Sequence, residues 1–127
     1  MAGARAKLLV VEDNRETQLI IKVALRSKYD LVAVNNSIDA ISSLSENNFD
    51  LVLLDLNLGG KDEGKIILSE IRNHLKNSKL PVIIVTAYDL IPDDEKFYNE
   101  NANGLIQKPF DKSALLEYVN KTLLNNS

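Results

Sequence analysis

Residues 50–60 read DLVLLDLNLGG, and this stretch decides the fold. Leu51, Val52, Leu53 and Leu54 form an unbroken apolar run of strand length that ends on a carboxylate, Asp55. Gly59 and Gly60 then break the pattern. A strand covered on one face alternates apolar with polar residues, whereas a continuous run marks a parallel strand covered on both. Working outward, comparable runs occur at KLLVV (7–11), DLVAV (30–34) and PVIIV (81–85), with a shorter one at GLIQ (104–107).

Between the runs, apolar residues recur at helical spacing. Residues 14–27 place Leu19, Ile20, Val23 and Ala24 on one stripe, and residues 37–47 place Ile38, Ile41 and Leu44. Residues 64–76 align Ile67, Leu68, Ile71 and Leu75, and residues 111–124 align Leu115, Leu116, Val119 and Leu123. Residues 91–99, IPDDEKFYN, carry Pro92 and acids suited to a first turn but little apolar stripe, which predicts a short, loosely packed helix. Asp13 with Glu16, Asn36 with Asp39, and Asp111 stand where N-caps are expected. Strand and helix thus alternate five times. The pattern predicts one α/β domain with a mostly parallel sheet, right-handed crossovers and helices on both faces. Residues 7–124 are expected to form the domain, residues 1–6 a flexible start and residues 125–127 a frayed end.

The chain has 127 residues, 45% hydrophobic and 26% charged, which suits a globular domain that buries its own core. Cysteine is absent, so disulfide and thiolate chemistry are excluded. Apolar runs fall far short of the roughly 18 residues of a membrane span. The four-residue run Leu8–Val11 is too short for a signal peptide, so a cytoplasmic location without membrane contact is expected. A net charge of -3, with 15 Lys and Arg spread along the chain, argues against direct contact with nucleic acid.

Ligands of open α/β sheets bind beyond the carboxyl ends of the strands, so the residues that follow each strand are the informative ones. Glu12 and Asp13 follow the first strand, Asp55 the third, Thr86 the fourth and Lys108 with Pro109 the fifth. Singly, each has an ordinary explanation as a cap, a turn residue, a strand end or a surface lysine. Together they bring three carboxylates, one hydroxyl and one ammonium to a single rim. Two carboxylates about 4 Å apart repel by roughly 4 kcal/mol at an effective dielectric of about 20. A hard divalent cation such as Mg²⁺, which takes oxygen ligands and phosphate, relieves that repulsion. No His or Cys belongs to the cluster, which disfavours zinc. An ionised Asp beside Mg²⁺ is competent as a nucleophile toward phosphorus. Lys108 and Thr86 are suited to stabilising the phosphoryl oxygens.

LLVVEDN (8–14), DLVLLDLNL (50–58), PVIIVTAY (81–88) and LIQKPF (105–110) resemble, in order and spacing, the successive signatures of response-regulator receiver domains of two-component signalling. The resemblance covers about residues 7–124. It implies a flavodoxin-like (βα)5 fold with strand order 2-1-3-4-5. It also implies that Asp55 accepts a phosphoryl group from a phosphohistidine of a histidine kinase or phosphotransfer protein. By the same resemblance Glu12, Asp13, Asp55 and the backbone carbonyl of Asn57 hold Mg²⁺, Thr86 closes onto the phosphoryl group, and Lys108, before a typically cis Pro109, pairs with it. The downstream partner is then a protein target or an output domain.

The sequence departs from the family pattern at several positions. Leu105 stands where the family often has Tyr or Phe, and leucine provides no ring with a polar tip. Gly59 replaces a common Pro, and Gly64 comes one residue late. Tyr88 occupies a position that shapes access to the phosphoryl group. His74, the only histidine, is expected on a solvent-facing helix surface. A phosphatase of the haloacid dehalogenase class would need a second Asp where Asn57 stands, and neither G-x-G-x-x-G nor a Walker A pattern supports a nucleotide or flavin site. A non-phosphorylated module of the same fold would be favoured by loss of the aspartate or lysine, and both are present. The resulting expectation is a switch domain, not a metabolic enzyme, with its own phosphotransfer and dephosphorylation activity.

Overall fold

The computed structural model describes residues 5–56, 58, 63–73, 79–87, 90 and 92–125. Its elements alternate as expected: β1 (Lys7–Val11), α1 (Arg15–Leu25), β2 (Asp30–Val34), α2 (Ser37–Glu46), β3 (Leu51–Asp55), α3 (Glu63–Asn73), β4 (Val82–Thr86), α4 (Pro92–Asn101), β5 (Gly104–Gln107) and α5 (Lys112–Asn125). The five strands form one parallel sheet in the order β2-β1-β3-β4-β5. This is the flavodoxin-like order, and the winding direction reverses between β1 and β3, the place where such sheets hold ligands.

Successive residues of a strand point to opposite faces, which explains why the central runs are apolar throughout. Leu9, Val11, Val52, Leu54, Val82 and Ile84 pack against Ala40 of α2, Ile67, Leu68 and Ile71 of α3, and Tyr98 of α4. Leu8, Val10, Leu51, Leu53, Ile83 and Val85 pack against Ile21, Ala24 and Leu25 of α1 and Leu115 and Val119 of α5. Each buried Leu, Ile or Val among them contributes about 1.5–3 kcal/mol through burial. β2 differs from the reading of its sequence as a doubly covered strand. It is an edge strand, exposed at Asp30 and only half-buried from Leu31 to Val34, because among the described residues no strand pairs with its outer side.

Two helices turn a different face inward than expected. In α1 the buried residues are Ile21, Ala24 and Leu25, while Leu19 is 59% and Ile20 41% exposed. Apolar residues at 19, 20, 21, 23, 24 and 25 cover most of the helix circumference, so spacing alone does not select a face. Packing on β1 and the neighbouring α5 selects it. In α2 the small Ala40 meets the sheet, Ile41 and Leu44 are half-buried, and Ile38 is 79% exposed. Ile38 lies about 200° around the helix from Ala40, which turns it to solvent. Leu75, assigned by spacing to the α3 stripe, lies outside the described residues, as does His74.

α4 is longer and better fastened than its thin apolar stripe suggests. It buries Tyr98, whose ring meets Phe97 edge-on with centroids 5.3 Å apart. Polar groups of α3 hold both of its ends. Lys65 forms an ion pair with Asp94, and the Arg72 guanidinium donates to Asn101 O at 2.7 Å, Leu80 O at 2.6 Å and Asn103 Oδ1 at 2.9 Å. Burial lowers the pKa of Arg72 from its ordinary value. Among the described residues no helix is long and apolar enough to cross a membrane.

Candidate functional site

A parallel sheet delivers the carboxyl ends of all its strands to one edge, and that edge carries the residues marked by the sequence. Asp55 is the last residue of β3, paired in register with Val85, and is 3% exposed. Glu12 follows β1 directly. Its N–H donates to Val34 O at 3.0 Å, which extends the β1–β2 ladder by one residue and leaves Glu12 1% exposed. Thr86 closes β4, is 1% exposed, and its carbonyl accepts the Lys108 N–H at 2.8 Å. That bond sets the start of the β5–α5 loop, where the Lys108–Pro109 peptide is cis.

The charges converge. Lys108 Nζ lies 2.8 Å from Glu12 Oε1 and 3.6 Å from Asp55 Oδ1. The second oxygen of Glu12 accepts the Asn14 N–H at 3.1 Å. Carboxylate oxygens of Glu12, Asp13 and Asp55 all lie within 4.8 Å of one another, with Asp13 the exposed member. Burying a carboxylate costs several kcal/mol unless it is paired and hydrogen-bonded, and one ammonium shared between two buried acids offsets only part of that. All three donors are oxygen, and the group is open on the Asp13 side, so the arrangement fits a hard divalent cation with retained water.

Asp13 does not cap α1, contrary to the expectation from its position. Asn14 is the N-cap, with Oδ1 accepting the Thr17 N–H at 2.9 Å. The helix starts one residue later than the spacing implied, and Asp13 stays with the acidic group. Asn36 and Asp111 do cap, accepting from Asp39 N at 2.8 Å and Ala114 N at 2.7 Å. Asn14 and Gln18 both bond to Glu12, and Gln18 lies outside every signature stretch of the sequence. Their contacts arise where α1 folds back along the end of β1.

Asn57, Gly59, Gly60 and Tyr88 lie outside the described residues. At Gly64 a Cβ would meet Leu56 Cδ2 at 2.8 Å and Leu56 Cα at 3.2 Å. Its bare backbone lets the first turn of α3 pack on the residue that follows Asp55. Leu105 is 38% exposed on the edge strand β5, and its N–H donates to Tyr118 Oη at 3.1 Å. The Tyr118 ring occupies the space that a side chain at Gly104 would need.

Comparison with known proteins agrees with this architecture. The family model described as response regulator receiver domain matches residues 8–120. The response regulator protein FleR of Pseudomonas aeruginosa is 33% identical over 115 residues, covering 90% of this chain and 24% of FleR. The transcriptional regulatory protein HprR of Escherichia coli is 33% identical over 119 residues, covering 92% of this chain and 51% of HprR. The chain thus spans about half the length, or less, of the curated relatives it matches. Among solved structures, a response regulator from Thermotoga maritima is 27% identical with a TM-score of 0.79, covering 95% of this chain and 99% of that one. A CheY-like receiver domain protein from Methanospirillum hungatei, 22% identical, shares the fold with a TM-score of 0.86 and covers 96% of each chain. With the family match spanning most of its length and its strands in the matching order, the chain belongs to the response regulator receiver domains of two-component signalling.

Proposed function

We propose that residues 7–124 act as a phosphoacceptor switch in which Asp55 takes a phosphoryl group from a phosphohistidine on a partner histidine kinase or phosphotransfer protein. The observation that carries this reading is the placement of one ammonium, Lys108 Nζ, against both Glu12 and Asp55 at the strand ends. In the transfer, a carboxylate oxygen of Asp55 attacks phosphorus. The new P–O bond forms as the P–N bond breaks, and the leaving imidazole nitrogen keeps the electron pair. The rigid end of β3 holds the carboxylate for in-line attack, which lowers the entropic part of the barrier. Lys108 is close enough to follow the charge that develops on the phosphoryl oxygens. Thr86 supplies a hydroxyl at the neighbouring strand end to hydrogen-bond the phosphorylated form.

Glu12, Asp13 and Asp55, with the backbone carbonyl of Asn57, would hold Mg²⁺. Bound there, Mg²⁺ would supply charge neutralisation for the carboxylates and the incoming phosphoryl group. Hydrolysis of the acyl phosphate resets the domain, so the activity belongs to a switch and not to a metabolic enzyme. Phosphorylation adds nearly two negative charges, and it shifts the domain only through contacts that differ between its two states. Thr86 is one such contact. The recipient of the signal is a downstream protein target or an output domain, and the setting is cytoplasmic.

Intact-mass spectrometry after incubation with phosphoramidate or acetyl phosphate and Mg²⁺ tests the proposal. One labile phosphate is expected on the wild type and none on Asp55→Asn. Unchanged labelling of Asp55→Asn would remove Asp55 from its role.

A further inference from the structure

Glu12 is held at four points. Its N–H donates to Val34 O, its Oε1 accepts from Lys108, and its Oε2 accepts from Asn14 N–H. The fourth contact lies outside the β-ladder. The backbone carbonyl of Glu12 projects past the end of β2, and Gln18 Nε2, from the second turn of α1, donates to it at 3.2 Å. The same amide nitrogen lies 3.5 Å from Val34 O, the carbonyl that already accepts the Glu12 N–H. A side-chain NH₂ has two hydrogens. Here it spans two carbonyls on neighbouring strands and adds a rung where the ladder has run out.

The C=O of Glu12 and the N–H of Asp13 belong to one planar peptide unit. A bond to that carbonyl therefore fixes the plane from which Asp13 projects. Asp13 is exposed, and this plane sets the direction in which its side chain leaves the backbone. Gln18 does this without adding a charge. A lysine or arginine reaching the same carbonyls would compete electrostatically with a cation at the rim.

We propose that Gln18 is a positioning residue for the acidic rim. Its amide ties Glu12 and Val34 to α1, orients Asp13 toward Glu12 and Asp55, and so raises the affinity of the rim for Mg²⁺. This rests on the reading of Glu12, Asp13 and Asp55 as the Mg²⁺ site, and the test separates the two.

Calorimetric titration of the whole chain with Mg²⁺ compares the wild type with Gln18→Met, Asp13→Asn and Tyr29→Phe. Gln18→Met keeps the side-chain length and loses the donors. Its Mg²⁺ affinity is expected to fall roughly 10-fold, the scale seen when a residue that orients a metal ligand is lost. Tyr29→Phe removes the hydroxyl bond to Asn120 at the opposite end of the sheet. It is expected to lower stability and leave Mg²⁺ affinity unchanged, which sets positioning apart from general loosening. Equal affinity in Gln18→Met and wild type overturns the role of Gln18 alone. No binding by the wild type, or unchanged binding by Asp13→Asn, overturns the site itself. Should Gln18→Met fail to fold, NMR of the wild type decides the matter. The Gln18 side-chain amide signals are expected to shift during Mg²⁺ titration with the same midpoint as the Asp13 N–H, and signals that stay in place through saturation refute the proposal.

Discussion

Without a divalent cation, neutralising Asp55 should stabilise this domain. Asp55 faces carboxylate oxygens of Glu12 and Asp13 within 4.8 Å and the Lys108 ammonium at 3.6 Å. At an effective dielectric of about 20, each repulsion at that limit amounts to about 3.5 kcal/mol and the attraction to about 4.6 kcal/mol. Across these three charge contacts, Asp55→Asn removes two repulsions and one attraction, a net gain of about 2 kcal/mol. The lower desolvation cost of an amide at a position only 3% exposed adds to the gain. For a domain of this size about 2 kcal/mol raises Tm by about 8 °C. Thermal unfolding in EDTA is the assay, with Asp55→Asn expected to melt above the wild type. Adding Mg²⁺ at about ten times its Kd should then stabilise the wild type by about 1.4 kcal/mol and the variant by less, narrowing the gap. An Asp55→Asn protein that melts below the wild type in EDTA, or one that gains as much from Mg²⁺, would refute the electrostatic account of the rim.

Other perturbations test the supporting structure. Gly104→Ala places a Cβ 2.7 Å from Tyr118 Cε1 and 2.9 Å from Cζ. Urea unfolding should show a loss of about 2 kcal/mol, from the Leu105–Tyr118 hydrogen bond and a displaced ring. In a Tyr118→Leu background the same substitution should be neutral or stabilising, and an equal loss in both backgrounds would show that the ring is not the cause. Arg72→Met leaves the carbonyls of Leu80 and Asn101 without their guanidinium partner and should cost about 3 kcal/mol. Hydrogen exchange should show α4 losing protection first, and unchanged α4 protection would contradict its fastening by α3. Burial raises the pKa of Tyr29, so folding favours the neutral phenol. The stability this contributes is complete below about pH 10 and is lost as pH rises above it. Tyr29→Phe should therefore flatten the alkaline fall in stability, and identical slopes in the two proteins would rule the contribution out.

Much of the fold is legible in local pattern because backbone geometry repeats. Strand side chains alternate with period 2 and helix side chains with period 3.6. Continuous apolar runs at 8–11, 51–54 and 82–85 therefore announce central parallel strands, and the stripes of α3 and α5 announce their buried faces. The rim was legible for the same reason. Once the strands are parallel, Glu12, Asp13, Asp55, Thr86 and Lys108 must meet at one edge, whatever packs around them.

Local pattern did not reach contacts whose partners are distant in the chain. Six apolar residues spread over 19–25 left the buried face of α1 undecided until β1 and α5 were in place. Asn14 displaced Asp13 as the cap because the exact start of a helix depends on the path of the preceding loop. α4 read as loose because Arg72 and Lys65, which hold it, belong to another helix. By itself, the sequence determined the alternation of strands and helices and the chemical identity of the rim. Only the tertiary structure decided that Lys108 sits closer to Glu12 than to Asp55 and that Gln18 closes the end of the β1–β2 ladder. Those distances follow from how helices seat on a twisted sheet, and helical and strand periods carry no information about that seating.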